Sequence, residues 1–216
     1  MMRTALIPAL ALAAIATAPA AAATITPVAV SASNTFSFFG EYKPENLING
    51  SGLTGGLHDA NYANMWMTDL GVQTATLTFD LGASYDLNAA NIWNYNFGTP
   101  GFFSTLERGV KDFTLAFSTD GTTFTDAFAG TLSAGTGAPM ASQDFALDGT
   151  ARFVRLGIVD AIGRDQFSSV GLSEVRFDGT AAVAAVPEPA AWGLMIAGFG
   201  LVGGALRRRN GLLAHA

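Results

Sequence analysis

The chain contains no cysteine in 216 residues. That excludes disulfide staples, thiolate nucleophiles and every sulfur-ligated metal site. Histidine is almost as scarce: there are two, His58 and His215, too far apart in the chain to suggest a zinc site. Basic residues are few. Between Thr24 and Val186 the cations are Lys43, Arg108, Lys111, Arg152, Arg155, Arg164 and Arg176, against sixteen Asp and Glu, which leaves about nine net negative charges. A nucleic-acid binder would be basic, so nucleic acid is not an expected partner. An acidic surface favours solubility and divalent cations and repels phosphate-rich partners.

Catalytic motifs are missing too. There is no Gly-x-Ser-x-Gly elbow, phosphate loop or His-Glu-x-x-His helix. Ser168-Ser169 beside Asp165 has no local histidine. Glycoside hydrolysis needs two carboxylates facing across a cleft, whereas the acids here fall at turns such as Asp120, Asp148 and Asp160. No catalytic residue is expected, and the chain reads as a non-enzyme.

What is present begins at the two ends. Met1 to Ala23 has one early charge, Arg3, then an Ala/Leu/Ile run and Ala21-Ala22-Ala23. This reads as a secretory signal peptide, residues 1–23, with the cut after Ala23. At the other end stands VPEPAAWGLMIAGFGLVGGALRRRN. The charge-free run Ala190 to Leu206 is slightly short for a bilayer span, and a helix would satisfy its backbone in lipid. Arg207, Arg208 and Arg209 would hold that end in the cytoplasm. The expected order is a body at 24–180, a linker and Pro-Glu-Pro motif at 181–189, a transmembrane helix at 190–206 and a basic tail at 207–216. Pro187, Glu188, Pro189 and Trp192 resemble the PEP-CTERM sorting tail of Gram-negative bacteria, in its tryptophan-bearing variant. Gly193 departs from that variant's usual alanine. The resemblance implies export, a membrane-tethered precursor, an exosortase-like protease as partner, and delivery to the cell surface or extracellular matrix.

Between the ends the chain is β-rich. Pro27–Ser33, Thr74–Leu81, Ala90–Tyr95, Lys111–Ser118, Thr123–Phe128, Gln143–Leu147, Arg152–Val159 and Gly171–Phe177 are strand-like runs parted by Gly, Asn, Asp and Ser. Alternation puts Leu77, Phe79 and Leu81 on one face, and likewise Phe113, Leu115 and Phe117. Asp120-Gly121 between two runs signals a hairpin. No convincing amphipathic helix lies in this region. The expected class is an all-β sandwich or jelly roll. The stretch Asn34 to Met65 is too long for a plain connection, and such loops usually carry function or an ion.

Four pieces occur in order: PENLINGSG from Pro44, Trp66 before TFDLG, RGVKDFTLAFSTDG from Arg108, and RFVRLGIV from Arg152 followed by LSEVRF. Together they resemble a discoidin-like, coagulation-factor C-type domain of the galactose-binding-like class. The resemblance implies an eight-stranded jelly-roll sandwich that binds ligands, most often sugars, with loops at one end, and that holds one structural calcium. Calcium takes six to eight oxygens, many from a tight loop. Asn46, Asn49 and Ser51 offer such oxygens in a Gly-rich turn, and by the resemblance Glu174 folds over the ion. Asn49 stands where the family pattern has Asp, which should weaken the site. Asp59 and Asp69 are candidates to supply the missing charge. The alternative is a plain Asn-Gly turn and an exposed strand glutamate.

Sugar sites combine an aromatic face with amide, His or Arg donors. Candidates are His58, Asp59, Asn61 and Tyr62 in the early loop, Asn94 and Asn96 at a strand end, and Phe102 and Phe103 in a Gly/Pro loop. Trp66 and Trp93 read as core. Arg108 is expected to brace its loop through a carboxylate such as Asp112. The leading expectation is an exported glycan- or polysaccharide-binding module. The alternatives are a structural matrix protein without a specific ligand, and an unrecognised glycan-active enzyme.

Overall fold

The structure is a computed structural model that describes residues 21–37, 40–99, 104–163, 169–182 and 189–212. It divides into two units, residues 1–181 and 182–216. In the first, the strands are β1 (Ala23–Ile25), β2 (Ala29–Ala32), β3 (Leu53–Thr54), β4 (Leu57–His58), β5 (Trp66–Met67), β6 (Ala75–Asn94), β7 (Asp112–Ser118), β8 (Thr125–Thr131), β9 (Met140–Ala141), β10 (Gln143–Ile158) and β11 (Gly171–Ala181). Short 3-10 turns occupy Pro44–Leu47, Tyr62–Asn64 and Thr105–Arg108.

Eight strands join one antiparallel sheet in the order β1-β11-β6-β10-β7-β8, with β2 added on β6 and β5 on β11; β3, β4 and β9 form a small second sheet. The long strands β6 and β10 make this sheet a sandwich. The first part of β6, Ala75 to Asp80, pairs with the end of β10, and Leu77 to Asp80 also pair with β2. Its second part, from Tyr85 to Asn94, pairs with β11 and with the start of β10. Strands that bend from one layer into the other form the corners of such folds. Gly82 sits at the bend with φ +82°, a conformation that costs glycine least. Its amide donates to Asp80 Oδ1 at 2.8 Å.

The expected breaks inside β6 and β10 are therefore corrected. The runs expected at Thr74–Leu81 and Ala90–Tyr95 fall, but for Thr74 and Tyr95, in the one strand β6, and those at Gln143–Leu147 and Arg152–Val159 fall, but for Val159, in the one strand β10. Glycine and aspartate in these segments bend the ladder without ending it.

The core lies between the layers. Leu77, Phe79 and Leu81 face it from β6, Phe113, Leu115 and Phe117 from β7, and Val175 and Phe177 from β11, as alternation predicts. The Phe79 and Phe177 rings meet edge to face at 5.9 Å, tying the two layers together. Burying each such ring stabilises the fold by roughly 1.5–3 kcal/mol. Trp66 is fully buried and Trp93 nearly so, both in packing roles. The Asp120-Gly121 hairpin joins β7 to β8, and Asp120 Oδ1 accepts from the amides of Thr122 and Thr123 at 2.8 and 2.9 Å.

The second unit is one helix, α1 (Pro189–Leu212). Leu194, Met195, Ile196, Phe199, Leu201 and Val202 are all exposed on it. A helix forms over the expected 190–206 stretch; among the described residues no helix is long and apolar enough to cross a membrane.

Candidate functional site

The long early loop packs a small second core beside the sandwich. Tyr42, Met65, Met67 and Tyr95 form it, with Phe36 and Phe97 packed against it. Asn46 anchors the loop. Its amide nitrogen donates to the carbonyls of Glu41, Ala63 and Met65 at 2.7, 3.1 and 2.8 Å. Asn61 caps the Tyr62–Asn64 turn by accepting from the Ala63 amide at 3.1 Å. Asp59 accepts from the Asn61 amide and from the Asn64 side chain at 3.1 and 3.0 Å. The Asp59 and Asn61 bonds to backbone amides two residues on are of the kind that shapes loops, and with the Asn46 and Asn64 bonds they hold Tyr62 at the surface.

The result is an aromatic cleft of about 270 Å³, lined by Glu41, Tyr42, Tyr62 and Phe97. Tyr62 packs between its neighbours, with ring centroids 5.8 Å from Tyr42 and 5.3 Å from Phe97. Phe36 meets Tyr42 edge to face at 5.6 Å. Tyr42 is buried and Tyr62 is 37% exposed, so a fixed floor carries an open wall. Burial raises the Tyr42 hydroxyl above its ordinary range, although the Tyr95 hydroxyl and the Arg108 charge pull it back. Burial pushes Tyr95 further up. Both phenols therefore stay neutral near pH 7 and keep a proton to donate.

The sequence-derived candidates divide. Tyr62 lines the cleft and Asn61 positions it. Asn94 and Asn96 are corrected: both are wholly buried. The Asn94 amide donates to the Val110 and Ser133 carbonyls, both at 2.8 Å, and accepts from the Tyr95 and Val110 amides. Asn96 likewise donates to Ala138 and Asp59 and accepts from Thr136 and Gly137. An asparagine has four hydrogen-bonding positions, and both residues spend theirs on loop backbone. His58 is also corrected, being fully buried with Nδ1 2.9 Å from the Asp59 carbonyl. Phe102 and Phe103 lie outside the described residues.

Arg108 does not reach Asp112. Its guanidinium lies 3.8 Å from Met67 Sδ, while Asp112 pairs with Lys111 at 3.6 Å. Sequence reasoning missed Glu41, Tyr42 and Phe97. The signal available was the aromatic character of EYKPEN and NYNFG, on either side of Tyr62.

The residues expected to hold calcium come together around Gly50. Asn49 Nδ2 donates to Asn46 Oδ1 at 3.4 Å, and Asn49 Oδ1 accepts from the Ser51 amide at 2.7 Å. Glu174 is fully buried, and its Oε2 accepts from the Gly50 amide at 3.2 Å. Its Oε1 accepts from Arg176 Nε at 3.0 Å. Asp59 and Asp69 are not part of this cluster's bonding. Asp69 accepts from the Asn34 side chain and the Ser37 amide.

In the sorting tail, Pro187 and Glu188 lie outside the described residues. Pro189 opens α1 and Trp192 is exposed on it, with Arg207, Arg208 and Arg209 in its last turns.

Comparison with known proteins matches the sandwich to a family model described as the F5/8 type C domain, over residues 29–171. A second model, the PEP-CTERM protein-sorting motif, matches residues 185–209. No curated protein matches the chain. Among solved structures, a family 32 carbohydrate-binding module of a Clostridium perfringens family 89 protein, in complex with GalNAc-β-1,3-galactose, is 17% identical. It covers 72% of this chain and 99% of its own, with a TM-score of 0.53. The family 32 module of C. perfringens NanJ, in complex with galactose, is 15% identical over 73% of this chain and 98% of its own, with a TM-score of 0.52. A third such module, from a C. perfringens family 31 glycoside hydrolase, is 18% identical over 69% and 88%, with a TM-score of 0.51. At these identities the likeness shows the shared sandwich.

Proposed function

The chain belongs to the F5/8 type C domain family, and from that premise we propose that it is an exported, non-catalytic glycan-binding module. The observation that carries this reading is the open cleft of Tyr42, Tyr62 and Phe97 beside Glu41. Pyranose rings present apolar C–H faces that pack on aromatic rings, and their hydroxyls need polar partners at the rim. The cleft offers both. The two solved relatives bound to GalNAc-β-1,3-galactose and to galactose have the same fold, which supports the ligand class.

The PEP-CTERM motif at residues 185–209 supports export and sorting by an exosortase-like protease that cuts near Pro187-Glu188-Pro189. The exposed apolar side chains of α1 suit contact with lipid before that cut. The processed domain would then stand at the cell surface or in the extracellular matrix.

The test is an affinity screen of the chain against immobilised polysaccharides. Retention on a glycan, weakened by Tyr62→Ala, supports the reading. Retention on none favours a structural matrix role. Release of soluble products from the glycan would revive a glycan-active enzyme.

A further inference from the structure

We propose that Asn49-Gly50 is a site of self-modification, at which the folded loop promotes loss of the Asn49 side-chain nitrogen as ammonia and leaves aspartate or isoaspartate. This inference stands apart from the glycan reading, since it concerns a different cluster.

The nucleophile is the Gly50 backbone nitrogen and the centre attacked is Asn49 Cγ. The two are brought together by a local turn. Asn49 Oδ1 accepts from the Ser51 amide at 2.7 Å, which folds the side chain back over the Gly50 peptide unit between them. Gly50, at φ +71°, has no side chain to obstruct that approach. Such proximity replaces a bimolecular encounter.

The surroundings supply the rest. Glu174 Oε2 accepts from the Gly50 amide at 3.2 Å, within the reach of a general base on the proton it removes. Arg176 Nε holds the other oxygen, Oε1, at 3.0 Å, and Glu174 is wholly buried, so the carboxylate is fixed in place. The Ser51 amide already points at Oδ1, where negative charge develops as Cγ is attacked. Asn49 Nδ2 is held only by a long bond of 3.4 Å to Asn46 Oδ1, and Asn49 is exposed, so water reaches it and ammonia can leave.

The step balances without an oxidant or reductant. The Gly50 nitrogen gives its proton to Glu174 and its electron pair to Cγ. The Cγ–Nδ2 bond breaks, and the nitrogen departs as ammonia with that proton returned through solvent. A cyclic succinimide remains. Water adds to one or other of its carbonyls, giving aspartate if the new N–Cγ bond opens and isoaspartate if the original peptide bond does. The product has one more negative charge, and an oxygen where Nδ2 had donated to Asn46.

The experiment incubates the full chain at about pH 8, above the value of about 7 to which burial pushes Glu174, and follows position 49 by peptide-mapping mass spectrometry. The same chain unfolded in urea gives the rate of the dipeptide alone. Conversion at Asn49 should be at least about tenfold faster in the folded chain, a modest part of what a positioned base supplies. Glu174→Gln keeps an oxygen for the Gly50 amide and removes the base, so folded-state conversion should slow by about tenfold. Conversion no faster folded than unfolded would overturn the proposal, and so would an undiminished rate in folded Glu174→Gln. If that variant fails to fold, the comparison of folded with unfolded wild type decides alone.

Discussion

The ring of Tyr62 stands 5.3 Å from that of Phe97, their planes inclined at 65°. This edge contact holds an exposed tyrosine in a fixed orientation beside an open cleft. Tyr62→Ala should therefore remove a binding wall and little else. Retention on the cognate glycan should weaken about tenfold, which corresponds to roughly 1.4 kcal/mol. The melting temperature should move by no more than about 2 °C, because little core area is lost. Affinity electrophoresis and a thermal melt on the same preparation check both. Unchanged retention would place the ligand elsewhere.

Phe97→Ala separates support from contact. Phe97 is part of the packing of the small second core as well as a lining residue. Both binding and stability should fall, the latter by about 2–4 kcal/mol given its partial burial. Urea denaturation reads the stability term. A variant that lost binding at full stability would show that the ring acts only on the ligand.

Much of the fold was legible in the sequence, and the reasons are local. The alternation of Leu77, Phe79 and Leu81, and of Phe113, Leu115 and Phe117, reflects the two-residue period of a half-buried strand. The Asp120-Gly121 turn carries its own chemistry. The length of β6 was not legible, because Gly82 reads as a break and becomes one only if the ladder ends there. The cleft was half legible. Tyr62 could be named from its loop, but its neighbours Tyr42 and Phe97 lie 20 and 35 residues away and meet it only through tertiary packing. Asn94 and Asn96 look like ligand donors in sequence. Only the paths of the 109–110 and 133–138 segments reveal that backbone consumes them.

Asn94 supplies the third prediction. It bonds four backbone groups, from Tyr95, Val110 and Ser133, in a site without solvent. Asn94→Leu keeps the volume and leaves those groups unpaired, each at a cost of about 1–3 kcal/mol. The summed loss should exceed about 3 kcal/mol, a large share of a domain's stability. Chemical denaturation would show a lower midpoint at similar slope. A midpoint near wild type would mean the loops find other partners.

The last prediction concerns pH, where two sets of carboxylates act with opposite sign. Asp80 is held below its ordinary value chiefly by hydrogen bonding from Arg152, with the Gly82 amide adding to it. Asp120 is held down by the Thr123 and Thr122 amides and Ser118. A group depressed in the folded state contributes stability above its unfolded value and loses it as pH falls through the folded one. Those two residues should therefore cost stability below about pH 4. Glu174 behaves in reverse. Burial pushes it up to about 7, against the opposing pull of Arg176 and the Gly50 amide. Its folded form holds a proton that the unfolded chain releases near the ordinary 4.5. That contribution is complete below the unfolded value and is lost as pH rises through about 7, on the order of a few kcal/mol. Melting temperatures measured from pH 3 to 8 should thus pass through a maximum near pH 5. In Glu174→Gln the decline between pH 5 and 8 should flatten while the acid limb persists, since the amide cannot ionise and Asp80 and Asp120 are untouched. An undiminished decline in that variant would assign it to another group and remove Glu174 as its source.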